Sequence, residues 1–251
     1  PRILLSSRGP RWPAGAGNRS GMVGRGLMLD ASGAVFGMFA EPTEVHMGVS
    51  AGQLMHRAVY GERRDAPFGG YQWQAGWAMK PNDVFGMAMA RPDLFGQALH
   101  DFIRRASRHL ANMVVMVEQL ADPDNRIELS SRTDRFGMPL ARVVHRFGDE
   151  TQALWRYCID EGQRIMRAAG AEESWSGRMN GGHPAGGTII GSDPARSVAD
   201  PFGRLHEVPN VVVAGSGLHP ATGGASPTFT LLAMAERSAA HVLDRWPEIS
   251  A

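Results

Sequence analysis

The sequence predicts an α+β protein. Two segments have the apolar spacing of amphipathic helices, several short β-branched segments are typical of strands, and glycine loops are concentrated in the last third. The 251-residue chain is long enough for a sizeable core, and its 43% apolar and 20% charged residues are ordinary for a globular protein. The composition therefore indicates a folded chain of one large or two small domains.

Composition and missing motifs exclude several classes of function. The formal net charge is +1 and the basic residues are spread along the chain, which argues against a nucleic-acid or anionic-membrane surface. Cys158 is the single cysteine, so an internal disulfide framework and a cysteine-rich metal cluster are excluded. No apolar run approaches the roughly 20 residues of a membrane-spanning helix. HExxH, CxxC and nucleophile-elbow motifs are missing, and no metal ligand is predicted.

The first part of the chain is predicted to consist of short strands and loops. Ile3–Leu5 has the pattern of a strand, and Ser6–Arg25 that of a loop rich in Gly, Arg and Ser. Ala34–Ala40 and Val45–Val49 are predicted to form a β-hairpin. Gly52–Gly86 shows no clear period, and we interpret it as loop with short strands.

Two amphipathic helices follow. The first is expected to begin at Pro92-Asp93 with Asp93 as its N-cap, and the second to run from Thr151 to Ala169 and to stop at Gly170. The buried face of the first helix is predicted from apolar residues in three- and four-residue steps: Phe95, Ala98, Leu99, Phe102, Ile103, Ala106 and Leu110. Three strands are predicted between the helices: Met113–Val117, Ile127–Leu129 and Ala141–His145.

The last third alternates glycine loops with short apolar segments. Gly181–Gly187 is predicted to be a glycine loop that leads into a strand at Thr188–Ile190, and Val211–Ala214 to be a buried strand. A second glycine loop, Thr222–Ser226, precedes a final helix that extends to about Asp244.

These loops predict a ligand site. Pro227 suits the first position of the final helix with Ser226 as its cap, and the free N–H groups of a helix start attract an anion or an electron-rich ring edge. His183, held on the first glycine loop, could act as a general base near neutral pH, although a histidine between glycines is often only a turn residue. Gly215-Ser216-Gly217 hints at a dinucleotide fingerprint, but its third glycine position holds Pro220.

A run of motifs extends through this region in order and without gaps. It contains His183-Pro184-Ala185-Gly186-Gly187-Thr188, Asp193-Pro194, Val208-Pro209-Asn210, Gly215-Ser216 and Ser226-Pro227-Thr228. The run resembles the C-terminal signature of the glucose–methanol–choline (GMC) flavin oxidoreductases. Upstream, residues 18–28 are similar to the stretch that leaves the flavin domain in that family. Residues 118–139 resemble the substrate domain of bacterial members that oxidise polyols, sugars and sugar acids.

The resemblance implies a division of the chain. Residues 31–176 would form most of an antiparallel-sheet substrate domain with helices on one face. Residues 1–30 would be a returning segment, and residues 177–251 the C-terminal part, of a GMC-type FAD-binding domain. The G-x-G-x-x-G unit that binds the flavin nucleotide lies at the N-terminus in this family and has no counterpart here. The chain is therefore expected to be a C-terminal half whose N-terminal half is missing.

The resemblance also implies FAD as the cofactor and oxidation of a CH–OH group of an alcohol, sugar or sugar acid. A hydride would pass to flavin N5 while His183, at the position of the catalytic histidine, takes the hydroxyl proton. The partner position of the family, usually His or Asn, falls on Ser226, which can hydrogen-bond the alcohol but is no base at neutral pH. Ser226 has the alternative interpretation of a helix cap only.

Four further residues correspond to cofactor-binding positions of the family. Gly215 and Ser216 match positions near the phosphate and ribitol of the flavin, and Pro227 and Thr228 match the helix start that faces its ring. The implied activity is a dehydrogenase rather than an oxidase. A missing N-terminal half, a small subunit or a cytochrome are candidate partners. Ser226 and the missing nucleotide-binding unit leave two alternatives open: a non-catalytic remnant, or one chain of a split enzyme.

Overall fold

A computed structural model describes residues 1–47, 54–56, 66–75 and 78–249. Its helices and strands, in chain order, are α1 (Arg2–Ser6), β1 (Met28–Met38), β2 (Leu54–His56), β3 (Tyr71–Ala75), α2 (Pro81–Ala88), α3 (Gln97–His109), β4 (Leu110–Val117), β5 (Arg126–Thr133), β6 (Pro139–Val144), α4 (Asp149–Ala168), β7 (Glu173–Ser176), β8 (Asn180–Ala185), α5 (Thr228–Asp244) and α6 (Trp246–Ile249). The α+β class is confirmed. Within the described ranges, no helix has both the length and the apolar composition needed to cross a bilayer.

The chain forms two compact units, each assembled from separated segments. The first contains the described residues of Pro1–Asp30, Gln119–Gly148 and Gly182–Ala251, and the second those of Ala31–Glu118 and Asp149–Gly181. The 119–148 segment thus clusters with the two ends of the chain, whereas the sequence boundaries assigned it to the middle domain. The functional names of the three predicted segments stay predictions.

An antiparallel sheet is the centre of the second unit. Its strand order is β2-β3-β4-β1-β7, with β8 also paired to β1. In the middle, β1 pairs with β4 over eight residues, from Ala31–Val117 to Met38–Leu110, and β3 pairs with the other edge of β4. Strand β4 is therefore bonded on both sides, which suits its β-branched and largely buried sequence.

Helices cover both faces of this sheet, so the expectation of helices on one face was wrong. Strand β1 presents Phe36 and Met38 to a core that includes residues of α2 and α3. The alternate residues of β1 face α4, because an added Cβ on Gly162 of α4 would lie 3.0 Å from Cγ2 of Val35 and 2.5 Å from Cη2 of Trp73. A strand presents a side chain to each face in turn, and here both faces are apolar.

The first unit combines a two-stranded sheet with irregular segments. Strands β5 and β6 form the antiparallel sheet, with a register irregularity between Leu129 and Thr133. Beside it, α1 is fixed by Arg2, whose guanidinium donates to the Asp134 carboxylate at 2.7 Å and to the Pro139 carbonyl at 2.6 Å. A separate apolar cluster is formed by Leu5, Val23, Val198, Ala199, Leu205 and Leu218.

Several local predictions for the first half were wrong. Ile3–Leu5 lies in α1, where only Leu5 is buried and Ile3 is 80% exposed. The predicted hairpin does not form: β1 pairs with β4 and β7, residues 45–47 make a turn, and residues 48–49 lie outside the described residues. In residues 52–86, which we interpreted as loop with short strands, the structure contains the short strands β2 and β3, but helix α2 was not predicted. Pro81 at the start of α2 suited a first helical position.

The later helices and strands agree better with the sequence predictions, although their ends are shifted. Helix α3 begins at Gln97 after Gly96, which has a φ of 59°, and the predicted cap Asp93 instead pairs with Arg91 at 2.8 Å. The predicted strands at 188–190 and 211–214 are reduced to single bridges that involve Ile190 and Val212. Much of the predicted 181–187 loop is strand β8. Residues 211–214 are not buried, since they lie beside irregular backbone and not inside a sheet.

Candidate active site

The site is built around His183 and Asp30, both in the first unit. Nδ1 of His183, in β8, lies 2.6 Å from Oδ2 of Asp30, in β1. The Asp30 side chain is 2% exposed, whereas that of His183 is 42% exposed. The pair thus joins a buried carboxylate to a histidine ring that still reaches the surface. Among the described residues, none forms a hydrogen bond with Nε2 of His183.

The backbone of His183 is in an unusual conformation. Its φ is 33°, in the left-handed region that non-glycine residues rarely adopt, and Pro184 follows it. Residues held in sparsely populated backbone regions cost about 1–3 kcal/mol and cluster at active sites. Glycine adopts a positive φ without strain, and glycines occupy positions 181 and 182 directly before His183. The chain thus has a histidine, and not a glycine, at a left-handed position.

Backbone pairing brings the second glycine segment next to His183. The N–H groups of Gly186, Thr188 and Ile190 donate to the carbonyls of residues 216, 217 and 218, at 3.1, 3.0 and 3.1 Å. Residues Ser216–Leu218 form a 3-10 turn after Gly215, which has a φ of 109°. No atom lies within 4 Å of a Cβ built on Gly215, so the space in front of this backbone is open to a ligand.

A pocket of about 200 Å³ opens at this junction. It includes four of the six predicted site residues. Its full lining is His183, Pro184, Ala185, Ser216, His219, Thr222, Pro227, Thr228 and Leu231. The two other predicted residues, Gly215 and Ser226, adjoin the pocket in sequence but do not line it. The structure thus brings most of the predicted site residues to one pocket, while the role of each residue stays a prediction.

Helix α5 begins at the pocket in a different way from the prediction. Its N-cap is Pro227, not Ser226, and no side chain caps it. The first hydrogen bond from its start is donated by Leu231 to the Pro227 carbonyl at 2.9 Å. The N–H groups of the first turn, from Thr228 onward, are therefore directed to whatever occupies the space before the helix. Ser226 has an interaction of its own in the described structure and is exposed.

A second histidine lies in the same lining. His219 is 6% exposed, its Nε2 is buried without a hydrogen-bond partner among the described residues, and burial lowers its pKa. His219 is not among the predicted site residues, because no motif surrounds it in the sequence. Its place directly after the Ser216–Leu218 turn and before Pro220 was the available signal.

A buried glutamine, Gln119, forms hydrogen bonds to two segments of the site. Gln119 is 1% exposed, and its Oε1 accepts from the Leu29 N–H at 2.7 Å and lies 3.0 Å from Nε2 of His145. Its backbone N–H donates to Thr222 of the pocket at 3.0 Å. Gln119 therefore links the strand that bears Asp30 to the glycine loop before α5.

These residues fit the ring end of a flavin. The pocket joins an apolar wall, a histidine and an uncapped helix start, and hydrogen-bond acceptors of a ring edge suit such a start. Its volume admits part of a cofactor and not a complete dinucleotide. Among the described residues, no group of three or more His, Cys, Asp or Glu side chains is placed to hold a metal ion.

Comparison with known families decides the assignment. Residues 121–235 match the C-terminal family model described as GMC oxidoreductase. This region is a C-terminal domain of the GMC oxidoreductase type. The chain is 33% identical to paromamine 6'-oxidase of Streptomyces fradiae over 94% of this chain and 42% of that protein. It is 30% identical to the fructose dehydrogenase large subunit of Gluconobacter japonicus over 97% of this chain and 45% of that protein.

Solved structures agree on the fold. The formate oxidase of Aspergillus oryzae superposes with a TM-score of 0.59 at 14% identity, over 98% of this chain and 52% of that one. An FAD-dependent oxidoreductase from Chaetomium thermophilum superposes with a TM-score of 0.52 at 13% identity and the same coverage. The chain thus spans less than half of these two relatives and about half of these structures. The predicted family and α+β GMC fold are confirmed.

Proposed function

We propose that the protein takes part in FAD-dependent oxidation of a CH–OH group, with His183 as the general base. The observation that carries this proposal is the pairing of His183 Nδ1 with the buried Asp30 carboxylate, because it leaves the ring's second nitrogen for a substrate. The pocket beside it adds the uncapped start of α5.

The named relatives support the reaction class. They include an oxidase named for paromamine and dehydrogenases named for fructose and, in Mycolicibacterium austroafricanum, 2-methyl-1,2-propanediol. All three substrate names denote compounds with hydroxyl groups. We therefore propose an alcohol, sugar or sugar acid as the substrate class. The subunit name of the fructose enzyme also supports a partner, for which a small subunit or a cytochrome is our proposal.

Each residue has a distinct task in this proposal. Bound FAD supplies the two-electron acceptor for the hydride of the carbinol carbon. His183 takes the hydroxyl proton at Nε2, and Ser226 donates or accepts one hydrogen bond at the alcohol oxygen. The open backbone at Gly215 and Ser216 holds the phosphate and ribitol side. Pro227 and Thr228 bring the helix start, whose N–H groups favour negative charge at the ring edge.

The test is His183→Ala in the full-length, FAD-loaded enzyme, assayed with alcohols, sugars and sugar acids and an artificial electron acceptor. Loss of a general base should lower kcat about 10²–10⁴-fold with an unchanged flavin absorption spectrum. His100→Ala is the matched control, because His100 is exposed on α3. Turnover equal to wild type in His183→Ala would remove His183 as the base.

One observation favours a non-catalytic alternative. The family position usually held by His or Asn is occupied by Ser226, which is exposed and does not line the pocket. A full-length protein that binds FAD but oxidises none of these substrates would support the alternative. Gain of turnover in Ser226→Asn would then show that the site is intact except for this partner.

A further inference from the structure

The Asp30 carboxylate is a costly feature that the proposed reaction does not itself require. It is a single acid in the apolar run Leu27-Met28-Leu29, and the residue is 1% exposed. Burial of a carboxylate is unfavourable unless it is paired and hydrogen-bonded. Oδ2 meets His183 Nδ1, whereas Oδ1 is buried without a partner among the described residues. The carboxylate therefore depends on His183 for its one side-chain hydrogen bond.

The chemistry of this contact sets the position of the ring proton. A carboxylate can only accept a hydrogen bond, so at 2.6 Å the Nδ1 atom of His183 must be the donor. In a neutral imidazole, a proton on Nδ1 leaves Nε2 as the acceptor. We propose that Asp30 is a positioning residue that holds His183 in the Nδ1–H tautomer with Nε2 free to receive the substrate proton. This proposal rests on the proposed function.

The surroundings keep Asp30 in place. The preceding residue, Leu29, donates its backbone N–H to Gln119 at 2.7 Å, and β1 pairs with β8, which carries His183. Without the carboxylate, a ring that is 42% exposed on a backbone with a φ of 33° would be free to turn and to exchange its proton between nitrogens. Asp30 therefore fixes both the ring plane and the tautomer.

Each proton has a defined position in this arrangement. The hydroxyl proton of the substrate moves to Nε2, and the Nδ1 proton stays on the ring. The Asp30 carboxylate keeps its hydrogen bond from the Nδ1–H of the ring throughout this step. The hydride leaves to the bound flavin under the proposed function. Asp30 touches no reacting atom, so its effect is exerted through His183 alone.

The decisive measurement is the ring ¹⁵N spectrum of the full-length, FAD-loaded protein with ring-labelled histidine. It is recorded by solid-state NMR at about pH 8, where histidines of ordinary pKa are neutral. Subtraction of the His183→Gln spectrum assigns the His183 signals. We expect a protonated Nδ1 and an unprotonated Nε2 in the wild type. A wild-type His183 with its proton on Nε2 would overturn the proposal.

Asp30→Asn is the second arm, because the carboxamide matches the carboxylate in shape but can donate to Nδ1. We expect the proton to move to Nε2, kcat to fall about 10²–10⁴-fold, and KM and the flavin spectrum to stay near wild type. Asp124→Asn, an exposed residue outside the pocket, should change neither readout. An unchanged tautomer in Asp30→Asn would refute the role of the carboxylate.

The two proposals fail in different ways. A wild-type protein with the Nδ1–H tautomer but no oxidation of any alcohol or sugar would refute the proposed function and support the positioning of His183. An active enzyme whose His183 carries its proton on Nε2 would support the proposed function and refute the positioning by Asp30.

Discussion

Replacing either of two helical glycines by alanine should change stability with opposite signs. Gly86 lies in α2, is exposed, and has no atom within 4 Å of a built Cβ. Gly162 lies in α4 against the sheet, and its Cβ would meet Cη2 and Cζ2 of Trp73 at 2.5 and 2.8 Å. Both positions gain helix propensity from alanine, roughly 0.5–1 kcal/mol. Only Gly162 has a neighbour that must move.

The cost at Gly162 follows from what Trp73 would lose. The indole is 1% exposed and donates its Nε1–H to Glu161 at 3.0 Å, inside a packed core. Overpacking of such a site costs about 1–3 kcal/mol. A displaced indole that gives up its hydrogen bond leaves a buried polar group unpaired, at about 1–3 kcal/mol more. After subtraction of the propensity gain, Gly162→Ala should lower the free energy of unfolding by about 1–5.5 kcal/mol.

Urea unfolding followed by far-ultraviolet circular dichroism measures both variants in the same full-length background. Gly86→Ala should unfold at a higher urea concentration than wild type and Gly162→Ala at a lower one, with similar slopes. The two glycines belong to the same compact unit, so they report on the same core. A Gly162→Ala variant as stable as Gly86→Ala would refute the close packing of α4 against the sheet.

Two further predictions concern the residues around the site. Gln119→Leu leaves the Leu29 N–H unpaired and should lower the free energy of unfolding by about 1–3 kcal/mol in urea titrations, whereas exposed Gln97→Leu should change it by less than about 0.5 kcal/mol. Burial lowers the pKa of both His145 and His219. The unfolded chain then binds more protons below about pH 6.5, so the melting temperature should fall as the pH drops through that range. His219→Phe should weaken this dependence, and an unchanged pH profile would contradict the assignment.

Local sequence patterns were sufficient to predict those helices, strands and loops whose conformation depends mainly on their own residues. The later apolar steps of α3, the β-branched run of β4 and the stop of α4 at Gly170, which has a φ of 95°, were visible in the sequence. The predicted buried face was wrong at its ends, because Phe95 precedes α3 and is 90% exposed, and Leu110 begins β4. The site loops were visible as well, because glycine placement and the order of the family motifs are local features. Pro227 was found at the start of α5, displaced by one position.

Long-range partners could not be found in this way. Asp30 and His183 are 153 residues apart, and no local sequence feature near either residue predicts that they pair. The partners of β1 are likewise distant, so its apolar alternation was assigned to a local hairpin. In α1, the three apolar residues suggested a strand, but the contacts of Arg2 with the β5–β6 sheet decide the conformation. A lone acid inside an apolar strand was the one signal for Asp30.

The interleaved segments of the two units set an order for synthesis. A ribosome translates Asp30 first, and the histidine that pairs with its carboxylate follows 153 residues later. All residues of the second unit, Ala31–Glu118 and Asp149–Gly181, are translated before Gly182. That unit can therefore consolidate on the nascent chain, whereas the first must wait for its last segment. The contact between Asp30 and His183 can consequently form only after the residues of the second unit have been translated.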